Sequence, residues 1–93
     1  MGLPSIARAA KDVVSQQVGE EAILLNLKTG VYWSLNSSGA AVWQQMQKTA
    51  SVPRIIAALQ AEFDASEAEL RAAVGALLAE LSREGLVVLD DAA

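Results

Sequence analysis

The side chains that perform most enzymatic chemistry are missing from this sequence or stand alone in it. The 93-residue chain has no histidine and no cysteine, which removes the commonest general base, the thiolate nucleophile and the cysteine ligands of zinc. Four serines stand at predicted helix starts, where capping explains them better than nucleophilic attack without a base: Ser37, Ser38, Ser51 and Ser66. We therefore expect a protein that is not an enzyme and that needs no metal and no cofactor.

The charge pattern gives little support to a nucleic-acid or membrane surface. The net charge is −4, and the seven basic residues are spread along the chain without forming a basic run. The carboxylates fall at predicted strand ends, helix caps and polar faces, so we expect solvated groups rather than a catalytic pair in a shared cleft. There is no signal-peptide pattern and no apolar stretch of roughly 18 residues, so we expect a cytoplasmic protein.

Two adjacent aromatic residues, Tyr32 and Trp33, offer one surface that could bind a partner. Adjacent residues of a strand point to opposite faces, so one ring should join the core and the other an outer face. Either both rings simply pack, or one lines a groove beside an unpaired strand edge. Such an edge can accept a peptide as an added strand.

Small residues on the third predicted helix form a second candidate surface. One explanation is that alanine stabilises helices; the other is that small residues let a peptide or a second copy approach closely. Glycine favours the second explanation, because it costs about 1 kcal/mol relative to alanine inside a helix. The small residues recur at helical spacing opposite a leucine-rich stripe: Ala68, Ala72, Gly75, Ala76 and Ala79.

A three-stranded antiparallel meander should carry the aromatic pair. Three segments have strand-forming composition and are separated by short stretches that contain glycine: Val13–Val18, Glu21–Leu27 and Val31–Leu35. In the second of these strands, apolar residues occupy positions that point to one face of the sheet and positions that point to the other. We therefore expect it to be buried on much of both faces.

Three helices should follow the meander. Ser37 or Ser38 can cap the first, Ser51 can cap the second, and Ser66 with Glu69 forms a capping box for the third. The apolar stripe of the third helix has core-facing spacing: Leu70, Val74, Leu77, Leu78 and Leu81.

The element order predicts an α+β domain close to a winged helix. Gly85 suits a helix C-terminus, and Leu86–Leu89 can form a short final strand after it. We divide the chain into a flexible N-terminal segment (1–11), one domain (12–90) and a tail (91–93).

Two segments resemble the PqqD-like family of RiPP recognition elements, which bind the leaders of ribosomally made, modified peptides. They are Leu24–Asn36, with the sequence LLNLKTGVYWSLN, and Gly39–Trp43, with the sequence GAAVW. The resemblance runs from about Val13 to Leu89. Within the family, the chain is most similar to the stand-alone leader-binding proteins of lasso-peptide biosynthesis.

The resemblance implies a winged-helix-like fold that does not bind DNA. A leader would pair with the edge of the third strand and lie against the third helix. The implied partners are the precursor leader, a leader protease and an ATP-dependent macrocyclase. The implied peptide-binding residues are Val31, Tyr32, Trp33, Ser34 and Leu35 on the strand, with Leu70, Arg71, Val74, Gly75 and Leu78 on the helix.

Two other functions remain open beside a leader-peptide adaptor. A winged-helix transcription factor is one, although a base-reading helix would carry Arg, Asn or Gln where the third helix has small residues. A small interaction or dimerisation domain, including a homodimer through the small-residue face, is the other.

Overall fold

The computed structural model describes residues 3–91, which form an α+β fold with three helices and antiparallel sheets. This agrees with the predicted fold class. The strands are β1 (Ile6–Ala9), β2 (Val13–Val18), β3 (Glu21–Asn26), β4 (Tyr32–Leu35) and β5 (Val87–Asp90), and the helices are α1 (Ser37–Lys48), α2 (Val52–Glu62) and α3 (Glu67–Arg83).

The predicted meander forms one antiparallel sheet in the order β2-β3-β4. Gly19 and Gly30 have φ angles of 63° and 79°, and both lie in the turns that join the three strands. Glycine adopts this left-handed conformation without the steric cost that other residues meet. Both hairpin turns therefore contain the residue type that their left-handed backbone conformation favours.

One face of this sheet is buried and the other is exposed, contrary to the expectation for β3. Ala22, Leu24 and Asn26 face the helices and are buried. Ile23, between them, points to the opposite face and is 41% exposed. No helix among residues 3–91 covers that outer face, so the apolar residues there do not join the core.

The N-terminus differs from the flexible segment expected over residues 1–11. Ile6–Ala9 form β1, which pairs antiparallel with β5 in a second, two-stranded sheet. Ala7 is fully buried, and its N–H donates to Ala50 O at 2.9 Å, which ties β1 to the start of α2 as well. Residues 1–2 of that segment and 92–93 of the expected tail lie outside the described residues.

Side-chain caps begin each helix. Asn36, rather than either serine, caps α1, because its Oδ1 accepts the N–H of Gly39 at 2.9 Å. Ser51 caps α2, and Ser66 forms the predicted capping box with Glu69 at the start of α3. The hydrogen bond from the Ser66 backbone N–H, with a second from its side chain, lowers the pKa of Glu69. These hydrogen bonds stabilise the folded state while the Glu69 carboxylate is ionised. Their contribution is therefore lost as pH falls through the lowered pKa of Glu69.

The core lies between the inner face of the three-stranded sheet and the three helices. Leu24 of β3 packs there with Trp43 of α1, Leu59 of α2 and Leu78 of α3. No helix within residues 3–91 is both long and apolar enough to cross a membrane.

Asn26 is the buried polar residue that connects the β3–β4 turn to the end of α3. Its Nδ2 donates to Gly85 O at 2.9 Å, and its Oδ1 accepts the N–H groups of Lys28 at 2.9 Å and Thr29 at 3.2 Å. A buried amide that makes three such bonds fixes the turn and the helix end relative to each other.

We predict that Asn26→Ala lowers the free energy of unfolding by about 2 kcal/mol, because three hydrogen bonds of roughly 0.5–1.5 kcal/mol each are lost. For a domain of this size, that loss should lower Tm by roughly 8–16 °C in a calorimetric scan. Gln16→Ala, at an exposed position of β2, is the control and should leave Tm nearly unchanged. A parent-like Tm for Asn26→Ala would show that the connection does not support the fold.

Candidate functional site

β4 has a free backbone edge. It pairs with β3 on one side, and no strand within residues 3–91 pairs with its other side. The Asn26 N–H donates to Val31 O at 2.8 Å, so Val31 belongs to a hydrogen-bonded pair. Because such pairs alternate along an antiparallel ladder, the N–H and C=O groups of Tyr32 and Ser34 point away from the sheet. These four groups can accept an additional strand.

The side chains of β4 divide between the two faces of the sheet. Tyr32 lies on the outer face and is 68% exposed, whereas Trp33 is half-buried against the core and Leu35 is buried. The expectation that the two adjacent rings face opposite sides is therefore confirmed. An added strand would place alternate side chains beside Trp33 and Leu35, on the helix side of the sheet.

An apolar pocket of about 200 Å³ opens close to the C-terminal end of β4. Ser38, in the first turn of α1, forms one wall, and α3 contributes Leu70 and Ala73. The pocket could take one medium-sized apolar side chain, since it presents almost no polar surface. The six lining residues are Ser38, Leu59, Phe63, Ala65, Leu70 and Ala73.

α3 runs beside the sheet from this pocket to the β3–β4 turn. Its N-terminal half lines the pocket together with Ser38, just after β4, and its C-terminal end is held by the Asn26–Gly85 hydrogen bond at the opposite end of β4. Extensive packing is absent between β4 and α3 within the described chain. The free edge of β4 therefore ends close to the apolar pocket that α3 helps to line.

The structure separates the helix residues that the resemblance implies for peptide binding. Val74 and Leu78 are 1% and 0% exposed and belong to the core, so their side chains are not at the surface where a peptide could contact them. Leu70 is half-buried and lines the pocket, and Arg71 is exposed. These residues are thus not one continuous wall.

The space beside Gly75 is occupied within the chain by Leu3. A Cβ placed on Gly75 would lie 2.5 Å from Cδ2 of Leu3, so an alanine there would require the Leu3 side chain to move. The glycine therefore leaves room for the Leu3 side chain against α3. This contact accounts for a small residue that the sequence left open to a peptide or a second copy.

Sequence reasoning predicted only Leu70 of the six pocket residues and missed Ser38, Leu59, Phe63, Ala65 and Ala73. Helical spacing offered a signal for one of them, because Leu70, Ala73 and Leu77 follow i, i+3 and i+7 on one flank of α3. Gly75 lies outside this series, which agrees with its separate contact to Leu3.

A second cleft lies on the other side of Phe63. Its volume is about 450 Å³, and polar side chains line most of it, including Gln17, Gln44 and two carboxylates, Glu20 and Glu62. An apolar side chain of a ligand would remain largely in contact with water in this polar cleft. The smaller pocket therefore fits an apolar ligand group better.

Comparisons with known proteins agree on one family and one fold. The family model for coenzyme PQQ synthesis protein D (PqqD) matches residues 21–87. A solved structure described as "TbiB1 in Complex with the TbiA(beta) Leader Peptide" has 26% identity and a TM-score of 0.82, covering 92% of this chain and 98% of that one. Curated protein sequences give no match.

A second solved structure shares the fold. "Lasso peptide synthetase B1 complexed with the leader peptide" has 22% identity and a TM-score of 0.78, with 88% of this chain and 96% of that one covered. Both solved proteins were thus studied with a leader peptide bound.

We predict that charges on neighbouring positions of α3 affect folding very differently. Val74→Glu should abolish the cooperative unfolding transition, because burying an unpaired carboxylate costs several kcal/mol, a large part of a domain's roughly 5–15 kcal/mol. Ala73→Glu, one residue earlier at an exposed position, should stay within about 1 kcal/mol of the parent. Circular dichroism melting measures both, and a Val74→Glu protein that melts like the parent would contradict the placement of Val74 in the core.

Proposed function

Because the chain belongs to the PqqD family and is a PqqD-like RiPP recognition element, we propose that it binds the leader segment of a ribosomally made peptide precursor. The product is a lasso peptide in this proposal, since both similar structures hold leader peptides and one is named lasso peptide synthetase B1. The observation that carries the proposal is the free edge of β4 beside an apolar pocket on α3.

The leader adds to the sheet as a strand next to β4. Its backbone pairs with the N–H and C=O groups of Tyr32 and Ser34, and each net hydrogen bond contributes about 0.5–1.5 kcal/mol whatever the peptide sequence. Backbone pairing therefore holds the leader in place but does not select it. Selection requires pockets that take particular side chains.

Selectivity comes from burying leader side chains on the helix side of the new strand. Side chains at alternate positions point towards Trp33 and Leu35, and one reaches the pocket lined by Leu70, Ala73 and Phe63. Full burial of a leucine-sized side chain contributes about 1.5–3 kcal/mol. A leader with an apolar residue at the right distance from the paired segment would thus be preferred.

The remaining helix residues have indirect roles in this proposal. Val74 and Leu78 hold α3 in the core, and Gly75 leaves room for the Leu3 side chain. Arg71 lies at the exposed rim, where it can meet a polar or acidic part of the leader.

The protein acts as an adaptor without catalysis. It presents the leader-bound precursor to a separate protease and an ATP-dependent macrocyclase, and it raises the local precursor concentration at those enzymes. Support comes from the sequence, which has no histidine or cysteine, and from the site, which is apolar and backbone-based rather than a cluster of reactive groups.

We also propose that the fold is a winged-helix variant that does not read DNA. The exposed face of α3 carries alanines at positions 68, 72, 76 and 79, which give no hydrogen bonds to base edges. The net charge of −4 opposes association with phosphates. A transcription factor is therefore the weaker alternative.

We predict that Ala73→Glu weakens leader binding at least tenfold (about 1.4 kcal/mol), because a carboxylate in the pocket must lose hydration when an apolar side chain enters. The matched control is Ala72→Glu, the same substitution on the exposed face, which should bind like the parent. Fluorescence anisotropy with a labelled leader peptide that the parent protein binds measures both. If both folded variants bind with parental affinity, the leader does not use this pocket.

We predict that the purified protein leaves a precursor unchanged when the two are incubated with ATP and magnesium. Mass spectrometry should detect processing only after the protease and macrocyclase are added, and processing should then be faster with the parent than with Ala73→Glu. Cleavage or cyclisation by the protein alone would refute the adaptor role, and equal processing with and without the protein would refute delivery.

A further inference from the structure

The sheet has a second unpaired edge, on β2, that leader binding to β4 does not use. No strand within residues 3–91 pairs with the outer side of β2. The strand is six residues long, and its sequence, VVSQQV, contains no charge and no proline. Proteins commonly protect exposed edges with charges, prolines or bulges, and β2 has neither of the first two. We propose that β2 pairs with β2 of a second copy of this chain across a two-fold axis.

The hydrogen-bond pattern determines which groups of β2 are available for such pairing. The Leu27 N–H donates to Asp12 O at 2.8 Å, so the even-numbered residues of β2 form the hydrogen-bonded pairs with β3. The N–H and C=O groups of Val13, Ser15 and Gln17 therefore point away from the sheet. Two copies can hydrogen-bond only in registers that place these odd-numbered residues opposite one another.

The outer face of β2 is complementary to itself in one of these registers. Val14, Gln16 and Val18 share that face, and the pattern Val-Gln-Val is symmetric about Gln16. With the two-fold axis at Gln16, Val14 of each copy lies opposite Val18 of the other. These valines are 47% and 52% exposed in the single chain. Pairing would therefore bury apolar surface at two symmetry-related valine contacts.

The charges that flank β2 do not lie along the paired edge. The chain reverses at Gly19–Glu20, so Glu21 lies beside Val18 in β3 rather than in line with β2, and Lys11 lies in the turn before the strand. The strand itself carries no charge, so the two chains can approach along its length although each has a net charge of −4.

The expected dimer is weak and leaves the peptide site free. One strand-to-strand contact of six residues buries far less than the roughly 800 Å² per partner of a stable complex. The joined sheet would have the order β4-β3-β2-β2-β3-β4, with both β4 edges at its outer ends. Each copy could then bind one leader without blocking the other.

Sedimentation equilibrium of the peptide-free protein up to about 1 mM tests the proposal, and a dissociation constant on the order of 100 µM is expected. Gln16→Lys places two like charges directly opposite at the axis and should raise that constant at least tenfold. Gln60→Lys makes the same change at an exposed position of α2 and should alter it less than twofold. A parent that stays monomeric at about 1 mM overturns the proposal, as does a Gln16→Lys protein that associates like the parent.

A charge swap tests the register. An equimolar mixture of Gln16→Lys and Gln16→Glu should form a heterodimer at least as tightly as the parent self-associates, because opposite charges then face each other at the axis. A mixture that remains monomeric would show that the parent dimer uses another surface and would overturn the assignment. Leader binding by Gln16→Lys should match the parent, so the dimer and the leader site can fail independently.

Discussion

Every backbone N–H and C=O group of a sheet edge must find a partner or remain in water, and a three-stranded meander has two such edges. In this protein, the β3 ladder leaves Tyr32 and Ser34 with outward-pointing groups on one edge and Val13, Ser15 and Gln17 on the other. Strand pairing can satisfy these groups without any side-chain chemistry. A chain without histidine or cysteine can therefore still recognise another polypeptide.

The two edges differ in what lies beside them. β4 ends close to an apolar pocket that α3 helps to line, whereas β2 is a strand whose residues are almost all exposed. Asn26 maintains this difference, since its bonds hold the end of α3 at the β3–β4 turn. Backbone pairing combined with a side-chain pocket would make binding at β4 selective, as we propose, whereas pairing without a pocket would suit an identical strand at β2.

Local patterns in the sequence predict most elements, because caps, turn glycines and helical spacing act over a few residues. The Ser66–Glu69 capping box and the glycine turns are examples. Relations between distant segments are harder to predict. Alternating and intervening apolar residues suggest that β3 is buried on both faces, yet its burial depends on which face the helices cover. Likewise, the purpose of Gly75 becomes clear only when Leu3 lies against it.

Amide hydrogen exchange at dilute protein concentration, with and without saturating leader, tests the central claim most directly, because it reports on individual backbone N–H groups. Strand addition at β4 predicts slower exchange for the amides of Tyr32 and Ser34 and unchanged exchange for those of Ser15 and Gln17. Protection of Ser15 and Gln17 instead, or tight leader binding without protection of Tyr32 and Ser34, would contradict the account.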